Sequence, residues 1–548
     1  MYKVTIFKTK WVIVQFVFVI MPRFLSRLTA SQAEVPPVGM TYSMPAAGLQ
    51  NSERKSLRIS PTVGSTFKVN GNSAIVFRIP AFGFLKGDTV TVKGRFGIVH
   101  PAGALDADSV VIPPPRISSI VRRLRILSVG DQKVLEDIDS YNLINMHMLT
   151  WAMRASDSAI DNLIFGNNYH GSVDTIAEQA NTGLGGFAAS ESNIGIEFML
   201  KFHSSGILKA DYWPLMATSG LQIEIYLERD ASVLRATGSI ASPTPGPTHH
   251  TNTGVYYVIN NPELLYDVIM PSPAYMEAIS AQLSSSGPGL MIPYSTYDVS
   301  PRVSNGTNLT EEITLNQKYS SIRALMMFQR DNNVVDSNRP DWWGLGHNPM
   351  GEAVFGKFRS ELFWIKEFQI RIGSEMIPTA PVTTLFRGGG TAGGANRLDT
   401  QLVDANEFRR MALDFFYAGG GLRDTDNVSL PIYTVTGLRE YPTLQPQNTG
   451  LNTWYSNGYP SGTGFHASHK KRHIGSCPLI LDLQVDKSVM TGENTLGTQN
   501  DINIRITRWQ LDMDSTELVS TATPIRQDFA LLVDNVAIIT MGRVDRLV

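Results

Sequence analysis

The chain carries one pattern twice, and that repeat limits its fold more than any other feature. Arg123–Gly130 sets Leu124 and Ile126 against Arg123 and Arg125 and closes on Gly130. Glu367–Gly373 does the same, with Phe368, Ile370 and Ile372 opposed to Gln369 and Arg371. Successive strand side chains point to opposite faces, so each segment buries one side and leaves the other polar. Helical spacing follows each: Tyr141, Ile144, Met148 and Trp151, then Phe408, Met411, Ala412, Phe415 and Phe416. Two further landmarks recur in the same order. The strand pattern Leu221–Glu228, with Leu221, Ile223, Ile225 and Leu227 inward, is answered by Asp501–Thr507, with Ile502, Ile504 and Ile506 inward. Val255–Ile259 and Leu264–Ile269 are answered by Phe529–Ile539. One such match arises easily by chance; three in order point to a duplicated domain.

At 548 residues the chain exceeds one ordinary core. Apolar residues make up 43% and charged ones 18%, the balance of a packed protein and not of a disordered one. A net charge of −2 gives no broad footprint for nucleic acid, so no specific nucleic-acid partner is expected. Short β-rich runs separated by Gly and Pro suit an all-β protein with many loops. The lone cysteine, Cys477, excludes an intrachain disulfide, so burial and strand pairing must hold the fold.

The first twenty residues place Lys3, Lys8 and Lys10 ahead of the apolar run Trp11–Ile20, with Pro22 after it. The run is shorter than the ~20 residues a spanning helix needs. Three readings stay open: a signal peptide cleaved near residues 29–33, a mis-assigned start ahead of Met21, or an arm that pairs with neighbours. The glycosylation sequons at Asn305, Asn308 and Asn427 add little to the first. Residues 1–59 are therefore taken as an apolar segment and extended arm, 60–272 as a first β-domain, 273–289 as a linker helix ending in Gly287-Pro288-Gly289, and 290–548 as a second β-domain. Eight or so short strands in two facing antiparallel sheets bury alternating residues without helices over the faces. The fold class expected is all-β: two tandem eight-stranded antiparallel jelly-roll barrels with short helices and long loops.

Candidate chemistry is thin. His466, His469, His473 and Cys477 are the sole cluster with ligand-like side chains, and a zinc ion needs four such donors in a tetrahedron. Lys470, Lys471 and Arg472 interrupt it with positive charge, which favours a basic surface loop over a metal site. Arg387–Gly394 lacks the Gly-Lys-Ser/Thr ending of a phosphate loop. Ser461 misses the spacing of a nucleophile elbow, and His249-His250 lies among prolines. Glu311-Glu312 reads as a solvated acidic pair, and Arg122-Arg123 as the polar side of a sheet or an intersubunit contact. No catalytic constellation emerges, no cofactor is implied, and the chain is not expected to be an enzyme.

Taken together, the segments Arg122–Leu143, Pro214–Leu227, Tyr256–Tyr275, Tyr319–Phe328 and Pro478–Asn494 resemble the double-jelly-roll major capsid proteins. That lineage runs from tailless bacterial viruses through adenovirus to virophages, polinton-like viruses and the nucleocytoplasmic large DNA viruses. The resemblance spans most of residues 60–548, and the N-terminal apolar segment departs from it. It implies a structural protein of an icosahedral DNA virus shell, working as a homotrimer whose six barrels form a pseudo-hexagonal capsomer. The implied partners are itself, neighbouring capsomers, penton and minor capsid proteins, with an internal membrane left open. The implied location is the virion capsid, assembled inside the host cell. Trp342, Trp343, Trp454, Tyr455 and Tyr459, aromatic residues in long loops, are candidate intersubunit contacts, with local loop packing as the competing reading. The rival function is a secreted or surface-displayed carbohydrate-binding jelly-roll protein.

Overall fold

A computed structural model describes residues 52–71, 73–99, 110–112, 117–152, 187–188, 196–237, 256–283, 289–305, 309–332, 335, 358, 360, 365–387, 402–404, 407–408, 410–411, 415, 478–484, 492–497, 500–508, 524–540 and 543–547. Through residue 270 the strands are β1 (Glu53–Ile59), β2 (Thr66–Phe67), β3 (Ala74–Ile79), β4 (Phe84–Val99), β5 (Val110–Ile112), β6 (Val121–Ser128), β7 (Val134–Ile138), β8 (Phe187–Ala188), β9 (Ile196–Lys201), β10 (Trp213–Pro214), β11 (Leu221–Leu227), β12 (Arg235–Thr237) and β13 (Tyr256–Met270). A helix, Pro273–Leu283, follows. Then come β14 (Leu290–Asn305), β15 (Thr310–Leu315), β16 (Ile322–Asp331), β17 (Ile365–Ile372), β18 (Glu375–Thr383), β19 (Leu385–Arg387), β20 (Leu402–Asp404), β21 (Leu479–Asp482), β22 (Ile502–Arg508), β23 (Pro524–Thr540) and β24 (Arg543–Leu547).

Hydrogen bonding sorts these strands the same way twice. Eight strands of the first half form the sheet paths β1-β13-β4-β10 and β3-β11-β6-β7, and eight of the second form β14-β23-β16-β21 and β15-β22-β17-β18, with β2 and β9 added beside β13 and β4, and β24 beside β23. Numbered by chain order within each set, both read 1-8-3-6 and 2-7-4-5. That order, with every pairing antiparallel, is a jelly roll. The chain therefore contains two of them. The sequence landmarks fall on equivalent strands: β6 with β17, β11 with β22, β13 with β23.

The alternation read from the sequence builds the cores. Leu221, Ile223 and Ile225 of β11 and Ile502, Ile504 and Ile506 of β22 are buried. Each is worth roughly 1.5–3 kcal/mol of burial. β11 differs from expectation on its other face, where Gln222 and Glu224 are buried as well. A strand flanked by β3 and β6 has long polar neighbours on both sides. Arg78 Nε donates to Gln222 at 2.9 Å. Gln222 Nε2 and the Tyr226 hydroxyl donate to Glu224 at 2.6 and 2.9 Å.

Several expectations need correction. Residues 53–59, placed in the arm, form an edge strand paired from Glu53↔Met270 to Ile59↔Leu264. Its apolar signal was weak because Leu57 and Ile59 are half-buried and the rest exposed. The turn after β17 uses Gly373 at φ +60°, as the glycine signal implies. After β6, however, the left-handed residue is Gln132 (φ +56°) and not Gly130. In the helix Tyr141–Ala152, residues 141–147 are all buried, including Asn142, Asn145 and His147, so burial is not confined to a stripe. In the second half Glu407, Phe408, Arg410, Met411 and Phe415 are helical, with Phe408 buried against Phe368.

Candidate functional site at the barrel junction

The first barrel presents β7, the helix Tyr141–Ala152 and the turn Ser204–Lys209 to the second barrel, which answers with β14 and the residues beside it. Tyr294 of β14 reaches across, its hydroxyl donating to the Leu135 carbonyl at 2.7 Å while its ring meets Trp213 edge-on at 6.5 Å. Gly206 lies so close to β14 that an added Cβ would stand 1.9 Å from the Ser295 carbonyl oxygen. Its φ of −73° suits any residue, so contact and not backbone freedom demands glycine here.

At the centre is Glu136, fully buried on β7. It accepts hydrogen bonds from the Ser205 hydroxyl and from the Gly206 N–H at 2.7 Å. Burial pushes its carboxyl above the usual range, and the bonds from Ser205, Gly206, Ile207 and Thr296 offset part of that push. Burial likewise raises the Tyr141 and Tyr297 hydroxyls. On the second barrel's side Asp534 accepts from Ser295 at 2.9 Å and Ser321 at 2.8 Å. Arg323 donates to the same Ser295 hydroxyl at 2.8 Å. Two backbones are thus held together through a desolvated carboxyl group and a closely packed glycine, an arrangement that resists sliding.

Two further ties flank this centre. β24 pairs with the end of β23 (Val536↔Leu547 to Thr540↔Arg543) and continues to the first barrel, where the Val544 N–H donates to Asp131 at 2.9 Å. Lys133 and Asp545 pair beside it at 3.6 Å. On the other flank His147 Nε2 lies 2.9 Å from the Phe358 carbonyl, and Arg229 Nη2 donates to the Val335 carbonyl at 2.6 Å.

The second barrel also buries ions of its own. Glu311, read from sequence as solvated, points inward and accepts from Arg508 at 3.3 Å and Gln527 at 3.1 Å. The alternation along β15 decides this: Glu311 shares a face with Ile313 and Leu315, Glu312 the opposite one. Arg330 binds the buried Asp528 through two nitrogens at 3.1 and 2.6 Å. Arg123, offered as a possible intersubunit contact, is engaged within the chain by Asp137, with two bonds of 2.6 Å. Arg122 is exposed.

His466, His469, His473 and Cys477 lie outside the described residues, as do Trp342, Trp343, Trp454, Tyr455 and Tyr459 and the apolar run Trp11–Ile20. Among the described residues no group of three or more His, Cys, Asp or Glu is placed to hold a metal ion, and no helix is long and apolar enough to cross a membrane. Sequence reading missed Glu136, Gly206, Tyr294 and Asp131. Glu136 looks like one polar residue of an alternating strand, and the clearest hint was the small run Ser204-Ser205-Gly206 ahead of the apolar Ile207-Leu208.

Two jelly rolls joined through a buried junction at β7 and β14 make this a double-jelly-roll fold. Among solved structures the chain is similar to the PBCV-1 virus capsid in its quasi-atomic model (9% identity, 93% of this chain and 98% of that chain covered, TM-score 0.48). It is also similar to the Sputnik virophage structure (11%, 93% and 92%, 0.46) and to the mavirus major capsid protein (11%, 94% and 93%, 0.45). No protein-family model and no curated protein matches the chain.

Proposed function

We propose that this chain is a major capsid protein: a non-enzymatic building block that assembles by self-association into the icosahedral shell of a DNA virus. The observation that carries the reading is the identical 1-8-3-6 and 2-7-4-5 strand order in both barrels. A chain with two equivalent barrels at a fixed angle gives six similar lobes when three copies meet, and six-fold-like units tile a closed shell. The buried junction supports this, because lobes that swivelled would not present a constant outline to neighbours. In the sequence, the segments from Arg122–Leu143 to Pro478–Asn494 support it as well.

The finer reading is a homotrimeric, pseudo-hexameric capsomer, its first barrel running from β1 to residue 272 and its second over 290–548, with the helix Pro273–Leu283 between them. Its other partners would be neighbouring capsomers, penton and minor capsid proteins, and assembly would take place inside the host cell. Obligate contacts of this kind bury on the order of 2,000–5,000 Å². Mass measurement of the purified chain tests it: a stable species at three times 60.4 kDa is expected, with six-lobed particles in electron micrographs. A monomer that persists at high concentration and forms no such particles overturns it.

A further inference from the structure

We propose that the cavity between the two barrels is a binding site for a small polyanion of the phosphate class. Its volume is about 260 Å³. That is more than one tetrahedral anion fills and less than the ~300–1,000 Å³ of sites for drug-sized ligands, so the fit is a diphosphate-sized group. Four guanidiniums line it: Arg122 and Arg229 from the first barrel, Arg330 and Arg526 from the second.

The local charge balance favours an anion. Asp139 and Glu228 also line the cavity, and Asp528 lies behind Arg330 and Arg526, leaving one positive charge uncompensated. Glu228 has little acceptor capacity to offer a cation, since one oxygen takes Asn142 Nδ2 at 2.9 Å and the other the Arg229 N–H at 3.0 Å. Three of the arginines, by contrast, keep donors to spare among the described residues. Arg526 spends Nε on Asp528, Arg229 spends Nη2 on the Val335 carbonyl, and Arg122 makes no hydrogen bond or ion pair among the described residues. Each guanidinium has five N–H groups in a planar fork that matches phosphate oxygens. The helix Tyr141–Ala152 begins at the cavity wall, with Ser140 and Asn142 lining it, and adds the positive end of its dipole. Because donors come from both barrels, a bound diphosphate would bridge them and stiffen the junction.

The test is titration calorimetry of the purified full-length chain with inorganic pyrophosphate at constant ionic strength, alongside thermal melting. One site per chain and a saturable rise in melting temperature are expected. Arg122→Ala should weaken binding roughly tenfold or more, the loss of a charge-assisted hydrogen bond, and Arg122→Glu should abolish it. Since Arg122 is exposed and makes no pair among the described residues, both variants should melt like the parent without ligand, and Arg371→Ala, on the exposed side of β17, should bind like the parent. No saturable binding at millimolar pyrophosphate overturns the proposal. So does equal affinity in the Arg122 variants, or capture of a polyglutamate peptide where pyrophosphate fails.

Discussion

Replacing Gly206 with alanine tests the barrel junction with a single methyl group. The added Cβ would stand 1.9 Å from the Ser295 carbonyl oxygen, 2.9 Å from its carbon and 3.0 Å from its nitrogen. All three atoms belong to the backbone of β14, held in register with β23 over sixteen residue pairs, so the neighbour cannot rotate away as a side chain would. Reaching ordinary contact near 3.4 Å requires the surfaces to part by about 1.5 Å. Overpacking of this kind costs about 1–3 kcal/mol. The same movement stretches the Tyr294–Leu135 hydrogen bond, worth about 1 kcal/mol. A total of about 2–4 kcal/mol follows, or a fall of roughly 4–10 °C in melting temperature for a cooperative unit the size of one barrel. The assay is scanning calorimetry beside Gly71→Ala, where the new Cβ meets only the Lys68 side chain at 3.1 Å. The junction variant should melt lower, with the single transition broadening or splitting as the barrels uncouple, and the control should not. If Gly206→Ala melts like the parent, the two backbones do not meet as described.

Two carboxylates at this junction should respond to pH in opposite senses. Glu136 is raised in the folded state by burial, so its contribution is fully present below its ordinary 4.5 and is lost as pH rises through the elevated value. The stability difference between the parent and Glu136→Gln should therefore grow in the parent's favour as pH falls toward 4.5, and a flat or inverted difference in denaturant titrations would contradict the buried carboxyl. At Asp131 burial works against ionisation, but the bonds from the Val544 amide, Ser128 and Lys133 prevail and hold the carboxyl below its ordinary 3.8. Its contribution is present above 3.8 and lost as pH falls through the depressed value, so protection of the Val544 amide from hydrogen exchange, corrected for intrinsic rates, should collapse there; unchanged protection would refute the tie. In the second barrel Arg508→Met alone should cost about 3–5 kcal/mol by stranding Glu311, and adding Glu311→Leu should restore most of it in urea unfolding. A double variant no better than the single would show that the pair is not coupled. Ile225→Ala should cost roughly 2–5 kcal/mol, and a smaller loss would place β11 away from the core.

Strand periodicity made the duplicated jelly roll legible because the inward residues of β11, β22 and β23 are large, aliphatic and evenly spaced. The same rule misled at Glu311. An acidic residue next to another suggests solvent, yet the period places it beside Ile313, and its partner Arg508 is 197 residues away. β1 was hidden because an edge strand with a mostly exposed surface has little apolar signal, and its partner among the described residues is β13, more than two hundred residues on. The junction was the least legible part. Glu136, Gly206 and Tyr294 derive their roles from a partner surface encoded elsewhere, and no local pattern of charge or hydropathy records that.

In both barrels the strand that closes the sheet is the last of the eight barrel strands the ribosome makes. β13 joins β1 to β4, and β23 joins β14 to β16, so neither sheet is complete until that strand has emerged. The opening strands must wait unpaired for some two hundred residues of synthesis, a long loop to close and a slow step by contact-order reasoning. The order of synthesis then assigns roles: the first barrel can seal once residue 270 is free, and its finished flank becomes the mould against which β14 is laid down.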